Sequence, residues 1–363
     1  MRIIISGGGT GGHLFPGVAL AEEFQARDSK HWIIFVGTKK GIEQRIIPAM
    51  GYELKFISGT ALLGSGPFQK LLGIVQFLIG LLQAIILIRT IKPDLVVGTG
   101  GYVSAPVILA AYLLGIKTAI CEQNSVPGLT NRMLGRLVKN VFIAFEESCH
   151  FFPQEKTLLT GNPVRKEFLN TLHQQKKDRS NFCLLILGGS QGAHSINRAM
   201  VEALDTLTPH KDKLAIIHQT GFQDFSWVKD AYREKLFQAE VSPFITGIAS
   251  AYVCADLVIS RAGALTITEL LVCGKPSVLI PYPYAAYNHQ EINAKTLVDQ
   301  GAAHIILDKD LDRVKLGETI LYFFHRPQEL DVMGKKAQTL AQPEAAKTIV
   351  DYYHLQQERE DRL

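Results

Sequence analysis

His13 closes the glycine-rich run SGGGTGGH (6–13), and an imidazole there has two chemical uses. It could take a proton from a reacting hydroxyl, because histidine titrates near neutral pH without help, or it could contact a phosphate. An ordinary cap or a packed ring is the plainer alternative. Further along, CEQNSVPGLTNR (121–132) sets Glu122, Gln123 and Asn124 side by side, polar groups able to orient hydroxyls or, equally, to cap a helix or form a turn. Glu269 ends SRAGALTITE (260–269), about a turn beyond Ala264, Leu265 and Thr266. The backbone amides of those three residues would face a diphosphate, and the carboxylate could accept both hydroxyls of a ribose. Without such surroundings Glu269 reads as a solvated helix residue. In NHQEINA (288–294), Gln290 and Asn293 share a helix face next to His289, and amides that both donate and accept suit a sugar.

These groups need elements to hold them, and the chain repeats one device for that purpose. RIIIS (2–6) runs through the first glycine turn into HLFPGVALAEEF, and CLLIL (183–187) runs through GGSQGAH (188–194) into SINRAMVEAL. Each reads as a buried strand, a sharp turn and a helix. Glycine lets the backbone approach a ligand closely, while the helix start turns free N–H groups toward it. GTGGYVSAP (98–106) makes a third glycine turn at the carboxyl end of a strand, the edge where open α/β sheets bind ligands. A chain built this way is expected to hold anionic ligands in a cleft between two α/β domains. Gly7, Gly9 and Gly12 also satisfy the dinucleotide pattern G-x-G-x-x-G. That pattern calls for an acid at the end of the second strand, whereas WIIFVG (32–37) is followed by Thr38. A nicotinamide cofactor is therefore not expected.

Strand-like and helical runs alternate almost throughout, which predicts parallel sheets covered by helices. The strands expected in the first half are 2–6, 32–37, 95–100, 118–123 and 141–145; those of the second are 183–188, 214–220, 257–260, 277–282 and 304–307. The polar stretch KEFLNTLHQQKKDRSN (166–181) lies between them. The predicted domains are 1–163 and 164–340, with a C-terminal helix over about 341–363 able to pack back on the first.

The chain has 363 residues, enough for two domains with their own cores, and its 47% hydrophobic and 20% charged residues are globular values. A net charge of +4 suits anionic small molecules or an anionic membrane surface and is too weak to argue for nucleic acid. The five cysteines are scattered, read as reduced core residues, and have no metal-site spacing. A strand already begins at residue 2, which leaves no room for a signal peptide. From Leu71 to Ile88 there is no charge: LLGIVQFLIGLLQAIILI. The run approaches the roughly twenty residues of a membrane span. A spanning helix here would separate strands of one sheet, so two placements stay open. One is a helix buried against the sheet. The other lies in the membrane interface, with Lys70, Arg89 and Lys92 as basic flanks.

Taken in order, GGGTGGH, GGY-S-P, EQN, GNPVR (161–165), GGSQGA, R-GALT--E and HQ--NA resemble the MurG family over essentially the whole chain. Members transfer N-acetylglucosamine from its UDP donor onto lipid I, making lipid II for peptidoglycan. The resemblance implies the GT-B fold, two Rossmann-like domains with parallel sheets facing a central cleft. It assigns Ile245 to the uracil, Glu269 to the ribose, Ser190 and the 264–266 turn to the diphosphate, and Arg165 to a further donor contact. Gln290 and Asn293 would hold the donor sugar, joined by Thr10, Gly11, Gly12 and Asn124, while His13 and Tyr102 would receive the acceptor. It also implies a peripheral enzyme on the cytoplasmic face of the bacterial inner membrane, with 71–88 as the contact.

The chemistry implied is direct displacement with inversion by the acceptor's 4-hydroxyl. His13 is the first candidate base and Glu122 the second. No D-x-D motif is present and helix ends can stabilise the departing UDP, so neither a metal nor a cofactor is expected. Two other classes fit parts of the pattern. A UDP-sugar epimerase would share the donor loops but has little use for the apolar helix. A silent membrane scaffold would keep the helix but need no ligand loops.

Overall fold

The computed structural model describes residues 1–59, 67–173, 181–189 and 191–360. The chain divides into two compact units, Met1–Arg165 with the segment from Pro343 onward, and Lys166–Gln342.

The first unit is built on a parallel seven-stranded sheet. Its strands are β1 (Arg2–Gly7), β2 (Trp32–Gly37), β3 (Glu53–Phe56), β4 (Leu95–Gly100), β5 (Lys117–Glu122), β6 (Asn140–Ile143) and β7 (Thr157–Leu159), in the order β3-β2-β1-β4-β5-β6-β7. The central strands are apolar at successive positions because both faces are covered. Ile3 and Ile5 enter the core on one face and Ile4 that on the other, and Leu95, Val97 and Val96 divide in the same way. The helix Gly11–Arg27 and the C-terminal helix Ala345–Glu360 cover the first face, the latter through Ala346, Ile349, Val350 and Tyr353. The helices Pro67–Ile91 and Ser104–Leu113 cover the second.

The apolar run is thus one helix, but burial against the sheet accounts for only part of it. Ala84, Ile88 and Ile91 are buried, whereas Leu71, Ile74, Leu78, Leu82 and Ile86 project outward, Leu82 63% and Ile86 67% exposed. It is the one described helix long and apolar enough to cross a membrane, and 22% of its most apolar 18-residue stretch is buried. Its two polar interruptions differ in use. Gln83 accepts the Ser58 N–H at 2.6 Å, and a Cβ at Gly80 would meet the Ser58 carbonyl oxygen at 2.2 Å, so the helix is held close to the chain leaving β3. Gln76 is exposed.

The second unit carries a parallel six-stranded sheet of β8 (Phe182–Leu187), β9 (Leu214–Gln219), β10 (Ala239–Ser242), β11 (Leu257–Ser260), β12 (Ser277–Leu279) and β13 (His304–Ile305), in the order β10-β9-β8-β11-β12-β13. Three strands in the two sheets had no sequence expectation: β3 (ELKF), β7 (TLL) and β10 (AEVS). All three are sheet edges. An edge strand is short, tolerates charge and need not be apolar on both faces, so it leaves no continuous run to find.

One polar group lies deep in the second core. His218 on β9 is fully buried between Tyr232 Oη and Asn197 Oδ1, each 3.0 Å from a ring nitrogen. Burial pushes its pKa down from 6.5 to about 3, with Asp224 opposing. The unfolded chain binds a proton in that interval which the folded unit refuses. Stability from this group is therefore complete above 6.5 and is lost as pH falls toward 3. Thermal unfolding of this unit should shift to lower temperature across that window, with a shallower slope in His218→Gln. An unchanged slope would reject His218 as the source.

Candidate functional site

In the first unit the strand order reverses between β1 and β4, so the chains leaving their carboxyl ends diverge and leave a crevice. The helix Gly11–Arg27 opens at this point from Thr10, whose backbone is extended (φ −135°). Thr10, Gly11, Gly12 and His13 therefore cluster at a helix start, where the His13 N–H already turns back to the Thr10 carbonyl at 3.3 Å. Thr10 Oγ1 lies 3.3 Å from His13 Nδ1. The turn after β4 is shaped around the ring. Gly100 has φ +101° and Gly101 φ +79°. A Cβ at Gly100 would stand 2.6 Å from His13 Cδ2, and one at Gly101 would stand 2.7 Å from the Gly8 carbonyl oxygen. Thr99 Oγ1 donates to the His13 carbonyl at 2.7 Å. Gly100 leaves space for this imidazole, and Gly101 for the Gly8 carbonyl beneath it.

Tyr102 follows directly, its ring 3.3 Å from where a Gly9 Cβ would be and its hydroxyl 3.2 Å from Thr38 Oγ1. Behind both is Glu43, which the sequence reading passed over. Its side chain is 1% exposed. Its carboxylate accepts the Gly9 N–H at 2.9 Å, the Thr38 N–H at 2.9 Å and the Thr38 hydroxyl at 3.2 Å. The acid absent from the end of β2 is thus supplied shortly afterwards and turned inward onto the glycine loop. A trace of it exists in the sequence, since Gly8, Gly37 and Gly41 would each place a Cβ within 2.7 Å of this side chain.

Glu122 and Asn124 leave β5, which pairs with β4 on the same carboxyl edge. Glu122 accepts from the Asn124 N–H (2.9 Å), Asn124 Nδ2 (3.2 Å) and Asn131 Nδ2 (2.8 Å). Burial raises its pKa in spite of these donors and the Gly128 amide. Its carboxylate is engaged in holding the 122–131 loop. Arg165 stacks its guanidinium 4.0 Å over the Phe15 ring, on the helix that carries His13.

The second unit has its own switch point between β8 and β11. The loop after β8 is pressed against the chain leaving β9. Gly192 (φ +83°) would place a Cβ 2.1 Å from the Thr220 carbonyl oxygen, and Gly221 (φ +79°) one 2.3 Å from that of Gln191. Ser190 lies outside the described residues. Gln219 joins the loop to Ile245, donating to the Gly189 carbonyl at 2.9 Å and accepting the Ile245 N–H at 2.9 Å. Ala264, Leu265 and Thr266 form the first turn of the helix Ala264–Val272. Beneath that turn Asn293 is fully buried, its Nδ2 3.5 Å from the Ala262 carbonyl oxygen, while Gln290 Oε1 accepts the Tyr282 N–H at 2.9 Å. Glu269 is 6% exposed, with Tyr252 Oη 3.4 Å from its carboxylate. It is no solvated helix residue.

Two further clusters escaped the sequence reading. Arg261 donates from one guanidinium nitrogen to Asp308 Oδ1 and to the Ile280 and Pro281 carbonyls, and from the other to Ser195 Oγ at 2.8 Å. It fixes the start of the 261–264 turn. Asp224 receives His194 Nδ1 (3.0 Å), Asn197 Nδ2 (2.8 Å) and Trp227 Nε1 (3.0 Å). Burial would raise this carboxyl, but the three donors outweigh it and hold it below the usual value. Apart from Trp227, three residues from Asp224, these side-chain partners are distant in sequence and give no local signal. A cavity of about 680 Å³ beside the helices Arg313–Phe324 and Pro327–Thr339 contains none of these groups.

Comparison with known proteins agrees with this arrangement. Residues 3–143 match the glycosyltransferase family 28 N-terminal domain and residues 183–349 its C-terminal domain. UDP-N-acetylglucosamine--N-acetylmuramyl-(pentapeptide) pyrophosphoryl-undecaprenol N-acetylglucosamine transferase of Myxococcus xanthus is 47% identical, over 97% of this chain and 92% of that protein. The protein of the same name from Geotalea uraniireducens is also 47% identical, over 97% of both chains. The crystal structure of Acinetobacter baumannii MurG superposes with a TM-score of 0.74 at 33% identity, over 97% of this chain and 98% of that one. The UDP-GlcNAc 2-epimerase of Neisseria meningitidis has a TM-score of 0.68 at 14% identity, over 97% of this chain and 99% of that one, a likeness of fold alone.

Proposed function

The chain belongs to glycosyltransferase family 28, within its MurG branch, and on that premise we infer that it transfers N-acetylglucosamine from UDP-N-acetylglucosamine to lipid I, releasing UDP and forming lipid II. The observation that carries this reading is the agreement over 97% of the chain with relatives named for that reaction. Family membership makes the chain a glycosyltransferase, which displaces the epimerase and scaffold readings.

The second unit takes the donor. The Ile245 backbone meets the uracil, the Glu269 carboxylate takes the ribose hydroxyls, and Gln290 and Asn293 take the sugar. Supporting this, the amides of Ala264, Leu265 and Thr266 begin a helix, where a diphosphate is favoured. The first unit takes the acceptor at His13 and Tyr102. The acceptor's 4-hydroxyl forms a bond to the anomeric carbon as the bond to UDP breaks, with inversion. His13 takes the hydroxyl proton, and the helix-start amides stabilise charge on the departing UDP. Glu122 is the weaker base because its carboxyl already receives the donors of its own loop. The stereochemistry tests this. A β-linked product from the α-linked donor, with a 4-deoxy acceptor inert, is expected; an α-linked product would reject direct displacement.

The enzyme works at the cytoplasmic face of the inner membrane as a peripheral protein. The outward face of the helix Pro67–Ile91, with Arg89 and Lys92 at its end, supports this. An apolar face with basic flanks suits the boundary between headgroups and acyl chains of an anionic bilayer. The double substitution Leu82→Glu with Ile86→Glu should weaken binding to anionic vesicles at least about tenfold and leave thermal stability unchanged. Undiminished vesicle binding would remove this face as the contact.

A further inference from the structure

We propose that Glu43 and Thr38 are positioning residues that fix the Tyr102 hydroxyl as a hydrogen-bond acceptor toward the substrate, so that this corner of the site reads a hydroxyl or amide N–H of the acceptor sugar and not its diphosphate. The proposal rests on the acceptor reading above and assigns one polarity within it.

The argument is a count of hydrogens. Glu43 Oε2 faces the Gly9 N–H, and Oε1 faces both the Thr38 N–H and the Thr38 hydroxyl. With donors at both oxygens, the carboxyl group serves as acceptor only. A hydroxyl has one hydrogen to give. That of Thr38 goes to Glu43, so the 3.2 Å contact between Thr38 Oγ1 and Tyr102 Oη must run from tyrosine to threonine. The tyrosine hydrogen is then committed, and a ligand meets only the lone pairs of Tyr102. A phosphate oxygen needs a donor and finds none there. A sugar hydroxyl or an amide N–H finds an acceptor, and the low dielectric around Glu43 strengthens each bond in the chain.

The chain of groups is held rigidly. Cβ atoms at Gly8, Gly37 and Gly41 would lie within 2.7 Å of Glu43, and one at Gly59 would lie 3.4 Å from both Thr38 Cγ2 and the Tyr102 ring. Neither Thr38 nor Glu43 faces the crevice, since Thr38 is 3% and Glu43 1% exposed. They act through Tyr102.

Steady-state kinetics of the full chain test this. Tyr102→Phe should raise the acceptor KM about tenfold, the loss of one hydrogen bond, with the donor KM unchanged. Thr38→Val keeps the side-chain shape but removes the hydroxyl, and should raise the acceptor KM to a similar degree, while Thr38→Ser restores it. In the Thr38→Val background, Tyr102→Phe should add less than about twofold, because the two groups act as one unit. A short prenyl pyrophosphate without sugar, competing against the acceptor, should inhibit wild type and Tyr102→Phe equally. Additive substitutions, a change confined to the donor KM, or weaker inhibition of Tyr102→Phe by the prenyl pyrophosphate would each overturn the assignment. Normal turnover with additive substitutions would overturn it alone; absence of acceptor-dependent turnover in the unsubstituted protein would overturn it together with the reading on which it rests.

Discussion

Replacing His13 with alanine should lower turnover by about 10²–10⁴, the usual contribution of a positioned general base. Three observations support His13 as the proposed base. The ring lies at the switch point of the first sheet, at a helix start. The turn after β4 is built from two positive-φ glycines whose side chains would strike the ring or the loop beneath it. The rival carboxyl of Glu122 is enclosed and committed to Asn124 and Asn131. His13→Ala should leave the donor KM unaltered, because the loss falls on proton transfer in the transition state. Glu122→Gln should cost less than tenfold in turnover by comparison. A loss below tenfold for His13→Ala together with a hundredfold loss for Glu122→Gln would exchange the two roles.

The second large effect is expected at Glu269. Its substitution by alanine should raise the donor KM by about 10²–10⁴, since two hydrogen bonds from ribose hydroxyls to the carboxylate are lost, each worth about 1.5–3 kcal/mol. The carboxylate is buried rather than solvated, and Tyr252 leans against it, so it is held in place before the donor arrives. A donor lacking the ribose 2′-hydroxyl should be handled poorly by the wild type and almost as well as the natural donor by Glu269→Ala. If the variant keeps the wild-type preference for the hydroxylated donor, Glu269 does not read the ribose.

The interior of both sheets was legible in the sequence for a simple reason. Ile3, Ile4 and Ile5 feed two cores at once, and a strand covered on both faces must be apolar at every position. The edge strands β3, β7 and β10 are under no such demand and carried no expectation. That the apolar run lies on one helix could be read, but its full extent, Pro67–Ile91, and the face that stays outside could not, because Ile86 and Ile88 are the same residue and differ only in what surrounds them.

The site divides along the same line. Glycine turns announce themselves through local backbone geometry, and the helix starts follow from them. Glu43 does not, because its meaning depends on Gly8 and Gly9, distant in sequence, as well as on Gly37 and Gly41. Arg261 is equally silent until Ser195 and Asp308 are brought beside it. Glu269 was visible as a residue but ambiguous as a role, and its burial removes the solvated alternative.

The central claim is acceptor-dependent transfer, and UDP release from UDP-N-acetylglucosamine tests it most directly. The assay is run with and without a muramyl-pyrophosphoryl-lipid acceptor, in detergent and EDTA, with magnesium restored as a control. Release only when the acceptor is present, with a disaccharide-lipid as product, is the predicted result. Release that is indifferent to the acceptor, or none under either condition, would contradict it.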